Sequence, residues 1–226
     1  MNKGNNALNK SLTALYGIAV FFLIITASIA LPIYFRFFYY LHINALGLPE
    51  STGYDFATIK AAYDEMLNFL TLPFTEFSTG VFSYSESGKA HFVDCKVLFN
   101  LNIFVLIPSV VTVGVLLILN KKKKISLYRP FGLDVSFFSA ISIFVVAGVL
   151  ALIVASDFDR AFVAFHHLFF PGKDNWSFNP RIDQIINILP AQFFMNCAIL
   201  IASGIILSSS TIIVFQLVKR LKDRKK

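Results

Sequence analysis

The sequence predicts an all-α membrane protein with four transmembrane helices and an extracytoplasmic cap built from two loops. Three observations predict it. Hydrophobic residues make up 56% of the 226 positions, 26 of them Phe, and a soluble fold of this length would leave much of that apolar surface in water. Four uncharged stretches, Ser11 to Tyr34, Val97 to Asn120, Val135 to Ser156 and Phe193 to Val218, each reach the roughly 20 helical residues that a bilayer core demands. The basic residues are blocked on alternate links between these stretches instead of being scattered.

Lys3 and Lys10 precede the first stretch, Lys121 to Lys124 and Arg129 fill the link between the second and third, and Lys219, Arg220, Lys222, Arg224, Lys225 and Lys226 follow the fourth. The two other links carry most of the acids. The positive-inside rule then puts both termini in the cytoplasm and both long loops outside. The chain divides into an N-terminus with the first span (1–40), a first cap loop (41–96), the second span (97–120), a basic cytoplasmic loop (121–134), the third span (135–156), a second cap loop (157–192), and the fourth span with a basic tail (193–226). Tyr34, Phe37, Phe38, Tyr39 and Tyr40 suit an outer aromatic belt. Ala27-Ser28-Ile29-Ala30 can be read as a signal-peptidase site, but the preceding apolar run is long and Pro32 follows closely; the loops stay outside on either reading. The net charge of +7 belongs to topology and lipid headgroups and does not point to nucleic acid. The two cysteines, Cys95 at the start of one span and Cys197 within another, are expected as free thiols.

In the first cap loop Phe56, Ile59, Tyr63, Met66 and Leu70 recur at helical spacing behind Asp55, a candidate N-cap. This predicts an amphipathic helix that packs on the bundle or lies on the membrane. Thr71 to Tyr84 mixes Pro73, Gly80 and alternating aromatics, which suits either short strands or irregular loop. From Ser87 the helical pattern returns and is expected to run unbroken into the second span, holding His91 about one to two turns above the bilayer core.

All four histidines, His42, His91, His166 and His167, lie outside the spans, and imidazole exchanges a proton near neutral pH without a large pKa shift. His91 and Asp94 are three apart on one helix face, so the carboxylate can steer or polarise the ring. In the second cap loop helix three is expected to continue past Ser156. Asp159, Val163, His166 and Phe170 then follow one face and Arg160 and His167 the neighbouring one, until Pro171-Gly172 ends the helix. Taken singly, His91 reads as a solvated residue at a helix start and His166 as one packed aromatic among several. Alternating topology brings the two segments to the same membrane surface, and that favours a joint role.

The string Phe165-His166-His167-Leu168-Phe169-Phe170, followed by Trp176-Ser177-Phe178-Asn179-Pro180, Asp183, Leu189-Pro190 and Phe193-Phe194, resembles the signature of the bacterial lipoprotein intramolecular transacylases. His91-Phe92-Val93-Asp94-Cys95-Lys96 is similar to that family's other motif. The resemblance covers nearly the whole chain. It implies an acyltransferase that moves the sn-2 fatty acid of a diacylglyceryl-cysteine lipoprotein to the amine of the same cysteine, giving the lyso form. The implied partners are the diacylated lipoprotein and membrane lipid, with no cofactor and no metal. The family's catalytic histidines fall on His91 and His166; His167 has no assigned part.

The chemistry suits these residue types. An N-terminal ammonium becomes a nucleophile only when it loses a proton, and the departing glyceryl oxygen must gain one. Asp94 is expected to hold His91 in a useful tautomer. Phe169, Phe170, Trp176, Phe178 and Phe193 are candidate walls of an apolar chamber that favours aminolysis over hydrolysis, and Arg160 is a candidate for headgroup or peptide carbonyls; cap packing and plain surface charge are their ordinary roles. Other classes fit less well. A metal-dependent membrane hydrolase lacks His-Glu-x-x-His here and a b-type cytochrome needs histidines within the spans; the best alternative of a different class is a noncatalytic four-span binding or scaffold protein, in which the histidines are packing residues and the cap docks a partner. The sequence does not set the oligomeric state.

Overall fold

The structure, a computed structural model, describes residues 3–223; Arg224, Lys225 and Lys226 of the basic tail lie outside the described residues. It is all-α, with no strand among the described residues. The helices are α1 (Lys3–Tyr34), α2 (Phe37–Ala45), α3 (Leu48–Thr52), α4 (Phe56–Thr71), α5 (Glu86–Lys121), α6 (Val135–Ser156), α7 (Phe158–Phe169) and α8 (Ala191–Asp223). Four of them, α1, α5, α6 and α8, are long and apolar enough to cross a membrane. Large side chains such as Phe104, Leu152 and Leu207 stand exposed along them, as lipid-facing positions do.

The chain forms two compact units, and each long helix contributes residues to both. Among the described residues the first unit comprises the stretch up to 29, 103–152 and the stretch from 201. Its core gathers Tyr16, Val20, Ile24, Leu116, Ala140, Ile143 and Ile205. At Gly17 a Cβ would meet Val135 Cγ2 at 3.0 Å, and Ser139 Oγ donates to the Gly17 carbonyl at 2.8 Å, the close small-residue contact that membrane helices favour. The basic loop is tied down by polar side chains, Tyr128 N–H donating to Thr13 Oγ1 and Ser126 N–H to Asn9 Oδ1. Asp134 accepts from both Arg129 and Gln216.

The second unit comprises 30–102 and 153–200 and holds all four histidines. Its core is centred on Tyr39, Ile43, Ile59, Ile185 and Ile188. The predicted helix behind Asp55 is α4: the Asp55 carboxylate accepts from Thr58 N–H at 2.8 Å, capping it. Its apolar face, Ile59, Tyr63, Met66 and Leu70, is buried in this core, so α4 is a packing helix. The segment left open between strand and loop is irregular. The helix expected from Ser87 is α5, unbroken to Lys121.

Two expectations are corrected. Helix three does not continue through to His166. It stops at Ser156, and Asp157, with extended backbone (φ −159°, ψ 92°), caps a new helix by accepting from Arg160 N–H. An acidic side chain that satisfies a free N–H stabilises a helix start, and here that outweighs the continuing apolar periodicity. Tyr39 does not belong to an aromatic belt either. It is 1% exposed, stacks on Tyr63 at 3.6 Å and donates to the Ile188 carbonyl, because α2 turns that face toward α4 and the 3-10 turn Gln184–Ile188. Phe37 on the opposite face stays exposed.

Candidate active site

His91 and His166 come together within the second unit, with ring centroids 5.6 Å apart and planes inclined by 33°. The two come from distant stretches of chain. The N-terminal turns of α5 carry His91, and the last turn of α7 carries His166. Both are buried, at 5% and 6% exposure.

α5 starts where it does because Asp183 anchors it. This buried carboxylate accepts from the Ser85 amide and hydroxyl, each at 2.7 Å, and Ser85 Oγ accepts from Gly88 N–H. Gly88 carries no side chain where Asp183 Oδ1 would lie 2.4 Å and Phe178 Cε1 3.0 Å from a Cβ. The absence of that methyl lets the loop after α7 close against the turn that carries His91. α7, in turn, is stopped after Phe169 by Pro171 and Gly172, the latter in the left-handed region at φ 72°.

Aromatic rings wall the pair. Phe170 lies 4.9 Å from His91 and 5.8 Å from His166, Phe178 lies 5.5 Å from His91, and Trp176 lies 4.7 Å from His166. Trp176 is itself fixed by donating from Nε1 to the Lys173 carbonyl. Phe162 and Phe92 complete the wall against His166 and His91.

The two rings differ in their bonds. His166 Nδ1 sits 2.7 Å from the Phe162 carbonyl oxygen. A carbonyl only accepts, so Nδ1 carries the hydrogen and Nε2 keeps a free lone pair. Burial lowers the His166 pKa from its ordinary value; the bond to Phe162 works in the opposite direction, and neighbouring His167 adds to the lowering. The ring is therefore a neutral imidazole at neutral pH. In a titration of histidine Cε1–H resonances His166 is expected to change charge below its ordinary value of about 6.5, and a midpoint at or above that value would contradict the desolvated geometry. His91 has Nε2 within 3.4 Å of Cys95 Sγ, while its buried Nδ1 has no partner.

Not every candidate residue joins the pair. Asp94 makes no bond to His91; its oxygens accept from Lys173 Nζ at 2.5 Å and Asn175 Nδ2 at 3.0 Å. It ties the loop after α7 to α5. Phe169 is exposed and packs on Phe165. Phe193 packs in the core against Tyr39 and His42, and its neighbour Phe194 lies near Phe162 instead. Arg160 pairs with Asp157 and is solvent-exposed at the start of α7. Cys95 could have been found from its position one helical turn after His91; Lys173 and Asn175 carry no such local signal. Among the described residues no three of His, Cys, Asp and Glu gather closely enough to hold a metal ion.

Comparisons with known proteins bear on the family and the fold. The profile of the lipoprotein intramolecular transacylase Lit matches residues 14–194. The structure resembles that of the membrane integral lipoprotein intramolecular transacylase Lit from Bacillus cereus with a TM-score of 0.85 and 25% identity, over 98% of this chain and 100% of that one. Two forms of the Bacillus cereus protein, with arginine or alanine in place of one histidine, align with TM-scores of 0.77 and 24% identity. They cover 97% and 98% of this chain and 95% and 97% of theirs, and show the same fold. No curated protein matches the chain. Matched over most of its length, this multi-pass membrane protein belongs to the lipoprotein intramolecular transacylase family.

Proposed function

We propose that the protein moves the sn-2 O-acyl chain of a diacylglyceryl-cysteine lipoprotein to the amine of that cysteine, with His91 and His166 as acid/base pair. The observation that carries the reading is the meeting of two buried, neutral-capable imidazoles from separate segments inside an aromatic wall.

His166 is the general base. Its Nε2 lone pair accepts a proton from the amine as nitrogen attacks the ester carbonyl and the N–C bond forms. His91 faces the other side of the reaction. With the Cys95 thiol donating to Nε2, its Nδ1 carries the hydrogen and has no protein partner, leaving it free to donate to the developing oxyanion and then to the sn-2 oxygen as the C–O bond breaks. The proton taken by His166 replaces the one His91 gives up, so both rings finish neutral. No acyl-enzyme is needed, because ester and amine belong to one molecule. The work of the site is orientation, which in favourable cases is worth roughly 7 to 11 kcal/mol. Phe170, Trp176 and Phe178 limit water, the competing nucleophile. Asp94 acts by holding the loop that bears Trp176. Phe169, Phe193 and Arg160 are left to lipid contact, core packing and surface charge.

Charge distribution supports an extracytoplasmic site in a cell membrane with both termini inside. The test is mass spectrometry of a lipoprotein's N-terminal peptide from cells with and without the protein. A fatty acid that moves from oxygen to nitrogen at constant mass is the expected result; an unchanged diacylglyceryl peptide, or one that has lost a fatty acid to water, would overturn the reading.

A further inference from the structure

Asn175 holds a polar atom that the protein itself does not use. Its Nδ2 donates to Asp94 Oδ2 at 3.0 Å, and the other Asp94 oxygen is taken by Lys173. A carboxylate only accepts, so the amide must turn its NH2 toward Asp94 and its oxygen away. That oxygen, Oδ1, is buried and has no donor. Leaving such an acceptor unmet is costly, and an orphan of this kind calls for a donor from elsewhere. A second orphan, Nδ1 of His91, sits on α5 one turn before Asp94. The residue after Asn175 is Trp176, whose indole lies 4.7 Å from the His166 ring.

We propose that Asn175 is a substrate-binding residue whose Oδ1 accepts a hydrogen bond from the amine that receives the acyl chain. This inference rests on the O-to-N reading above. The ligand must bring an N–H or O–H. An acyl ester and its hydrocarbon tail have none to give, whereas a primary amine has two. One goes to the general base and the other is free for Asn175. As the N–C bond forms the nitrogen gains positive charge, so a bond from it to a carbonyl oxygen strengthens toward the transition state and raises kcat more than it lowers KM. Asp94 serves as a positioning residue by setting which end of the amide faces the substrate.

The experiment compares Asn175→Leu, Asn175→Ala and Asp94→Ala in the full-length protein, reconstituted with a synthetic diacylglyceryl lipopeptide. It reads N-acyl product, free fatty acid and thermal unfolding. The expected result for both Asn175 variants is a kcat lower by roughly 10- to 100-fold, KM little changed, and more free fatty acid per N-acyl product because water gains on a poorly held amine. Asp94→Ala keeps the acceptor but frees the amide to flip, so it should lose less rate than either Asn175 variant and raise the share of free fatty acid by less. Asn175 variants that match wild type, change KM alone as a bond to a backbone N–H would, or behave just like Asp94→Ala overturn the proposal. If leucine misfolds, alanine decides. A wild-type protein that makes no N-acyl product would instead bring down the O-to-N reading.

Discussion

Replacing His166 by alanine is expected to lower the transfer rate by roughly 10²- to 10⁴-fold, the span of a single positioned acid or base, with little loss of fold. Its ring contacts Phe162, Phe170 and Trp176, and α7 keeps its Asp157 cap without it. His91→Ala should cost a similar factor. The double variant should be barely worse than either single one, because neighbouring rings that share one proton cycle act as a unit. Rates measured on reconstituted protein, alongside thermal unfolding, check both statements. Near-normal turnover in either single variant would mean that the pair is packing and not chemistry.

Gly88→Ala is expected to damage the site from a distance. A single methyl there meets Asp183 Oδ1 at 2.4 Å and Phe178 Cε1 at 3.0 Å. Asp183 cannot retreat without giving up the Ser85 amide and hydroxyl, and Phe178 cannot retreat without leaving His91. Overpacking of this kind costs about 1–3 kcal/mol, so the variant should unfold at lower temperature and transfer more slowly at temperatures where it remains folded. Gly88→Ala with wild-type melting and wild-type rate would show that the loop accommodates the methyl freely.

Much of this architecture was legible in the residues. The spans follow from length and charge, α4 from its spacing and Asp55 cap, and the extension of α5 past the apolar stretch from continuing periodicity. What failed did so where distant contacts compete with local pattern. Asp94 shares a helix face with His91, yet a lysine 79 positions away in the chain forms the ion pair, since a charged partner outbids a neutral ring. Tyr39 looks like a boundary aromatic and Phe193 like a chamber wall until α2 and α4 pack together and take both into the core. Phe170, Trp176 and Phe178 did reach the histidines because they lie in the loop that directly follows the helix of His166, while Phe169, exposed beside Phe165, did not. Asn175 was invisible for a related reason: an asparagine in a polar loop has no meaning until its carboxamide is seen between a carboxylate and nothing.

The break at Asp157 gives the two histidines different kinds of tether. His91 rides on α5, a continuous rod through its apolar stretch, so inserting one residue just below it would swing the ring by about 100° and point it at another neighbour. His166 is insulated from the same accident in α6, because α7 begins afresh at its own cap and is aimed by the packing of Phe162 on Phe194 and of His166 on Trp176. Insertions and deletions in the third membrane segment should therefore be far better tolerated than those in the second.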